Sequence, residues 1–422
     1  MLSKINNNKT QAFVFFVLIP FLFFSCASTS KDVDSLSLFY PSSPSKNVLE
    51  RDSSFFEDGS PVLTSDTAFQ GQDSLLVTFA GDLMAHKPNW DRGHFDEIYE
   101  DIKDELLECP LVFANLETPV CDSKPYSTYP NFNVHHEYVE AAIDAGFNVF
   151  SLTNNHTNDQ FLEGINSTRE WFKQKEAETK ETQRPVYATG LKAEANGPLN
   201  YRLIKHDDWT ILFVSITEIL NTNYYSNYID YIPPTKPRRQ DFVKEIKKLS
   251  DNNPHDLFVL SIHCCDPEYI FTVTDSQRKY YFELLDAGVD VIWGNHPHVS
   301  KKWELVPDEN NVPRKLIFYS MGNSISAQRT NPSFTAPATN RDYTGEGYMT
   351  RVRFVRENDS VKIALIDPVI LTTYINTYNR YQIKILNDDF ISSLKTSRPI
   401  WSKYLQERKN LMEKITGTVI WH

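Results

Sequence analysis

The 422-residue chain has no long block of lysine and arginine, and its formal net charge is -12. Nucleic-acid binding rests on a dense cationic surface that neutralises phosphates, so this balance argues against it. It does not argue against an anionic ligand, because a metal site can reverse the field locally. No period of 20 to 50 residues recurs, which excludes solenoids and propellers. Cysteine is scarce: Cys26, Cys109, Cys121, Cys264 and Cys265 are the whole set, and their spacings form no disulfide framework. Cys109 and Cys121 flank a predicted strand, so bridging them would need a sharp return of the chain. What the chain does have is an apolar fraction of 41% with 13% aromatics, the composition of a globular protein. Its length allows one large core or two moderate ones.

The N-terminus reads separately. Lys4 and Lys9 precede an apolar run from Ala12 to Phe24 that is too short to span a bilayer comfortably, and Ser25 then meets Cys26. Residues 1–26 resemble a bacterial lipoprotein signal, with cleavage before Cys26 and a lipid placed on it; the other reading is an uncleaved anchor. Either way the remainder is expected outside the cytoplasm, at the cell surface or in the periplasm. Residues 27–73, rich in Ser, Asp, Pro and Thr, read as a tether too polar and broken to pack.

Strand and helix signals then alternate. SLLVTFAGD opens the globular part as a buried strand, and HFDEIYEDIKDELLE predicts one helix. PLVFANLE and FNVFSLTNN are strands on either side of EYVEAAIDAG, a helix stopped by Gly146. GINSTREWFKQKEAET and SQRKYYFELLDAG are helical; VYATG, YRLIKHDDWTILFVSIT, DLFVLSIHC, VDVIWGNHPHV and KLIFYSMGNS are strands. The pattern predicts an α/β domain over 74–335. Over 336–422 it predicts a β-rich extension and a terminal helix, FISSLKTSRPIWSKYLQERKNLME, packed on the same domain.

Polar clusters fall at the C-terminal ends of the strands, where open α/β sheets place their ligands. They are Asp82 with His86, Asn115 with Glu117, Asn155 with His156, His263, and His296 with His298. One such histidine reads as a satisfied core residue or a loop cap, whereas five clusters of ligand type point to one shared site. Borderline divalent metals accept imidazole and carboxylate together. A bridging carboxylate lets two ions sit about 3.5–4 Å apart, clamping an attacking water and a leaving oxygen. Pro297 sets His296 and His298 on a turn, from which they could serve two ions.

AGDLM, FANLETP, NNHTND, GINST, HCCDPEY, DAGVDVIWGNHPHV and IFYSMGNS occur in the order seen in CapA-type poly-γ-glutamate capsule proteins, over roughly Leu75 to Ala327. Those proteins resemble members of the calcineurin-like metallophosphoesterase superfamily. The resemblance implies a four-layer α/β/β/α sandwich of the metallo-dependent phosphatase type, with the metals at loops between two central sheets. It implies one or two divalent ions, with zinc, manganese or iron as candidates. Asp82 would bind the first ion, Glu117 would bridge, Asn155, His263 and His296 would hold the second, and His298 would return to the first. His156 would be a general acid or a donor to a developing oxyanion, and Asp159 would orient it or cap the next helix.

There are departures from that pattern. Met84 stands where the superfamily's Asp-x-His has its histidine, so the first ion lacks a ligand unless His86 supplies one. HCCDPEY is one residue longer than the usual His-Trp-Gly-x-Glu-Tyr and has no glycine, so Glu268 reaches the site only if the loop absorbs the insertion. Cys264 and Cys265 could add thiolates, though a buried structural role or a vicinal disulfide is the favoured reading.

The implied function is a surface-anchored protein of poly-γ-glutamate synthesis or processing, with a metal-dependent hydrolase or transfer site. Its partners would be the anionic polymer and a membrane polymer synthase. The alternatives are an extracytoplasmic metallophosphoesterase and a non-catalytic polymer-binding or export component. Three further features carry paired readings. Asn323 closes a turn or touches the ligand; the tyrosine-rich loop 221–234 is a surface loop or a substrate-binding lid. KPRRQ at 236–240, with Lys244, Lys247 and Lys248, is a solvated helix face or an attractor of polyglutamate.

Overall fold

Strand β1 (Ser74–Leu83) sends Leu75, Val77 and Phe79 to one apolar layer and Ala80 to another, as the two-residue period of a strand requires, and Leu83 joins Ala80 because the register shifts after Phe79. Burial on both faces is why the central strands read as near-continuous apolar runs. The computed structural model describes residues 73–330, 332, 340–357, 360–417 and 419–420. The expected signal segment and the expected tether, Asp73 apart, lie outside them. No helix among the described residues is long and apolar enough to cross a membrane.

The first sheet is built around β1, β2 (Leu111–Leu116), β3 (Val149–Ser151) and β4 (Tyr187–Thr189), all parallel neighbours in that order. The second runs through β5 (Tyr201–His206), β6 (Trp209–Thr217), β7 (Leu257–His263) and β8 (Val291–Asn295). It continues to β10 (Pro313–Phe318), β9 (Trp303–Pro307) and β15 (Val419–Ile420). β11 (Asn323–Ile325) crosses back to the first sheet and lies parallel to β1. β12 (Glu346–Glu357), β13 (Ser360–Ile375) and β14 (Tyr381–Ile385) then extend that sheet antiparallel beyond β1.

Between the sheets, Phe79 and Phe113 meet Phe213, Trp293 and Phe318, with Phe79 and Phe113 stacked at 4.9 Å. On the outer face of the first sheet lie α3 (His136–Ala145) and α4 (Phe161–Thr179), through Tyr138, Val139, Ile165 and Phe172. On the outer face of the second lie α5 (Lys236–Asn252) and α6 (Asp275–Asp286), through Phe242, Ile246, Tyr281 and Leu284. The order of layers is therefore α/β/β/α.

Two predicted helices are each broken. Residues 94–108 form a 3-10 turn (Phe95–Ile98) and a short helix, α2 (Lys103–Leu107), while α1 (Lys87–Trp90) precedes them. Ile98, Ile102 and Leu106 keep a four-residue spacing into the core. However, Tyr99 N–H and Ile102 N–H bond back three residues rather than four, to Asp96 and Tyr99, and the Glu97 carbonyl accepts instead from the Gln382 side chain of β14. The terminal segment divides into α7 (Asp388–Ser393) and α8 (Pro399–Thr416). Pro399 excludes helical geometry at the residue before it, and Arg398 sits at φ -142 and ψ 62.

Candidate functional site

The site assembles where the C-terminal ends of both sheets meet. Asp82 on β1 is in register with Asn115 on β2 and Asn323 on β11, so one row across three strands carries three polar side chains. β1 and β11 approach closely only because residue 81 is glycine: a Cβ there would lie 1.9 Å from the Gly322 carbonyl oxygen. In the second sheet His263 ends β7 beside Asn295 of β8. The chain then turns through His296 at φ 100 and His298 at φ 58, both in the left-handed region that side chains avoid. Backbone strain of that kind, concentrated on two imidazoles, is characteristic of a site rather than of a core.

These ends bring buried side chains into contact. The Asn115 amide donates to Asp82 Oδ1 at 2.8 Å, and Asp82 Oδ2 lies 3.2 Å from His298 Nδ1. Asn323 Oδ1 also lies 3.0 Å from that nitrogen, and its amide is fixed by Ser326, Gln328 and the Thr344 carbonyl. His263 Nε2 is 2.9 Å from Asn155 Oδ1 and 3.0 Å from His296 Nδ1. Glu117 lies between the two sheets, with Oε1 3.6 Å from His298 Nε2 and 3.9 Å from His263 Nε2. Both of its carboxylate oxygens are buried without a hydrogen-bond partner among the described residues, as are Asp82 Oδ2 and Asn115 Oδ1. An orphaned carboxylate facing imidazoles fits a divalent cation, which supplies the missing partner for each oxygen. Among the described residues, three groups have ligand atoms close enough to share an ion: Asp82, Glu117 and His298; Glu117, His263 and His296; Glu268, His296 and His298.

Electrostatics agree with that arrangement. Burial raises the Glu117 pKa well above the ordinary value, and neighbouring Asp82 and Glu268 push it the same way. For His298 burial alone would depress the pKa, but Glu117, Asp82 and Glu268 overcome this and push it up to about 9. His263 and His296 are driven well below the usual imidazole value, first by burial and then by the basic groups crowded around them, which oppose a further positive charge. Neutral imidazoles are the form that binds a metal.

His156 sits beside this cluster. Its Nδ1 lies 2.6 Å from Asp159 Oδ2, which also accepts Phe132 N–H at 2.7 Å. Burial raises the Asp159 pKa against the opposing pull of His156. The expected orienting role for Asp159 thus has its contact. Asn221, from the loop at 221–234, reaches both His156 Nδ1 at 3.2 Å and the Asn155 amide at 3.3 Å. The Phe132 ring stands edge-on to His156 at 4.5 Å and to His86 at 5.1 Å.

Seven of the ten expected residues lie together as described: Asp82, Glu117, Asn155, His263, His296, His298 and Glu268. His156 and Asp159 form the adjoining pair. His86 is near but belongs to none of the three ligand groups among the described residues. Its Nδ1 accepts Ala327 N–H at 3.3 Å, and burial with neighbouring His298, Arg341 and His156 lowers its pKa to about 3. Glu268, not His86, stands next to His298. The HCCDPEY loop brings Glu268 to His296 and His298; within it Asp266 pairs with the fully buried Lys301 at 2.5 Å, and Tyr269 N–H donates to the Pro297 carbonyl at 2.9 Å.

The vicinal disulfide reading is not met, because Cys109, Cys121, Cys264 and Cys265 are all free thiols. Cys264 Sγ donates to the Asn295 carbonyl at 3.2 Å, and burial pushes the Cys265 thiol up to about 12, so neither is poised as a thiolate. Asn221, Phe132 and Tyr269 are not among the expected site residues. Tyr269 lies inside a recognised motif and Asn221 opens the tyrosine-rich loop 221–234, whereas no local pattern marks Phe132.

The capsule biosynthesis protein CapA of Bacillus anthracis is 26% identical over 276 residues, covering 61% of this chain and 61% of that protein. The PGA biosynthesis protein CapA of Bacillus subtilis (strain 168) is 26% identical over 265 residues, covering 61% of this chain and 64% of that protein. The match thus spans less than two thirds of either relative's length. Among solved structures, a hypothetical protein from Thermus thermophilus aligns with a TM-score of 0.40 at 16% identity, over 70% of this chain and 98% of that one. The calcineurin-like phosphoesterase YfkN from Bacillus subtilis aligns with a TM-score of 0.37 at 10% identity, over 80% of this chain and 99% of that one. Residues 76–328, more than half of the sequence, match the bacterial capsule synthesis protein PGA_cap, and the chain belongs to that family.

Proposed function

We propose that this chain is an exported, lipid-anchored protein of capsule-type polymer synthesis or processing. Its site would be a metal-dependent hydrolase or transfer centre for an anionic polymer of the poly-γ-glutamate kind, working beside a membrane polymer synthase. In this reading residues 1–26 direct export and anchoring, 27–73 tether, 74–335 carry the site, and 336–422 brace it.

The observation that carries the proposal is Glu117, whose two buried oxygens have no hydrogen-bond partner while two imidazoles from the other sheet face one of them. Asp82, Glu117 and His298 would hold one ion, and Glu117, His263 and His296, with Asn155, a second. A bound divalent ion supplies Lewis-acid polarisation of the substrate carbonyl or phosphoryl and lowers the pKa of water. The protein's own part is proton handling: with Nδ1 turned to Asp159, Nε2 is the His156 nitrogen that would give a proton to a leaving group.

Elemental analysis of the full chain beside a His296→Ala, His298→Ala double variant tests the site. One or two equivalents of metal, lost in the variant, are expected; no metal in either protein after reconstitution would favour a non-catalytic binding component. His156→Ala should keep its metal and lose turnover by roughly a hundredfold or more, the usual contribution of a positioned acid. A panel of γ-glutamyl amides and phosphodiesters separates polymer chemistry from phosphoesterase chemistry.

A further inference from the structure

Three large exposed side chains from three separate segments stand along the turn from His156 to Phe161. Tyr129 is 68% exposed, Phe161 53% and Tyr224 63%. The Tyr129 ring lies 6.4 Å from His156, and Phe161 lies 6.1 Å from Tyr224. Asn158, two residues past His156, binds the Tyr224 carbonyl at 2.7 Å and the Thr222 carbonyl at 2.9 Å, and the Asn158 carbonyl accepts Phe161 N–H. The rings therefore share one framework with the candidate proton donor. Scattered single apolar residues on a surface need no explanation, but a cluster beside a site does.

Phe161 adds a second observation. Its φ is 57, a left-handed backbone that a bulky side chain adopts only at a cost of order 1 kcal/mol or more. The chain bears that strain to present a ring that water half covers, so folding alone gains little from it. The cost is offset when something lies on the ring. Lys124 stands by, with its Nζ 5.7 Å from the Phe161 ring centroid and 3.4 Å from Glu163.

We propose that Tyr129, Phe161 and Tyr224 form a binding platform for the polymer beyond the reacting bond, a subsite for an extended chain of planar amides and methylenes. The inference rests on the polymer reading of the site. Amide planes and methylene pairs stack on aromatic faces without demanding a sequence, and the rings' few rotatable bonds keep the entropic penalty small. Carboxylates on such a chain remain in water or meet Lys124 in place of Glu163.

The test is calorimetric titration of the metal-loaded full chain with a dimer and a decamer of γ-linked glutamate. Wild type is compared with the double variant Tyr129→Ala, Tyr224→Ala and with the single variant Phe161→Asn. Both variants should bind the decamer about tenfold more weakly or worse, with dimer affinity and metal content unchanged. Asn tolerates the left-handed backbone, so Phe161→Asn should keep or raise Tm, which a purely structural ring would not allow. Equal decamer affinity in all three proteins overturns the platform, as does a parallel loss of dimer and decamer. A metal-loaded wild type that binds no decamer removes the polymer reading itself, and the platform with it.

Discussion

Asp290 shows what burial does to a single carboxylate away from the site. It precedes β8 and its Oδ2 accepts Phe258 N–H at 2.8 Å. Burial raises its pKa from 3.8 to about 6, against the pull of that N–H, Lys315 and His255. The unfolded chain releases this proton near 3.8, while the folded chain keeps it to about 6. Folding therefore loses stability as pH rises through that window, and the full penalty stands above it. Asp290→Asn keeps an acceptor for Phe258 and never ionises. Relative to wild type it should gain stability progressively between about pH 4 and 6, reaching up to about 3 kcal/mol above that. Denaturant unfolding of both proteins across that range checks the prediction; a pH-independent difference would contradict it.

At the scale of the element, the meeting of β1 with β11 is the tightest constraint on the site. A Cβ at residue 81 would fall within 1.9 Å of backbone, which cannot rotate away, so Gly81→Ala must push the two strands apart. Overpacking of this kind costs about 1–3 kcal/mol or more. It also separates Asp82 from Asn323, the residue that holds His298. The variant should melt lower and bind less metal, while an unchanged metal content would show that Asp82 does not depend on the junction.

The sequence announced these ends because ligand-type side chains directly follow apolar runs: Asp82 after LLVTFAG, His263 after LFVLSI, Asn155 after FNVFSLTN. What it did not announce depends on distant partners. Asn221 meets Asn155 and His156 only once the 221–234 loop folds over them, and Phe132 reaches two histidines from an unpatterned loop. The run at 94–108 has helical spacing, yet the Gln382 side chain of β14 takes the Glu97 carbonyl, and Tyr99 and Ile102 bond back three residues rather than four. Lys301, in the polar-looking stretch SKK, is fully buried to hold Asp266, and nothing local distinguishes it from a surface lysine.

For the whole molecule, the candidate ligands divide between the sheets: Asp82 and Glu117 leave the first, His263, His296 and His298 the second. An ion shared among them would join the two sheets at their open ends, beyond the apolar layer of Phe79, Phe113 and Trp293. Without it, Glu117 and His298 face each other as a buried acid and base, both with raised pKa values, and between them they hold a proton that a cation must displace. Metal loading should therefore release protons, and apparent affinity should climb as pH rises towards about 9, the value of the His298 imidazole. Loading should also raise Tm, since a ligand at a hundred times its Kd stabilises the folded state by about 2.7 kcal/mol. Calorimetry in buffers of different ionisation enthalpy counts the protons, and thermal unfolding with and without chelator measures the shift. The His296→Ala, His298→Ala chain provides the reference: it should melt at one temperature whether chelator is present or not. If wild type behaved like that reference, the two sheets would not share an ion, and the orphaned oxygens of Glu117 would need another partner.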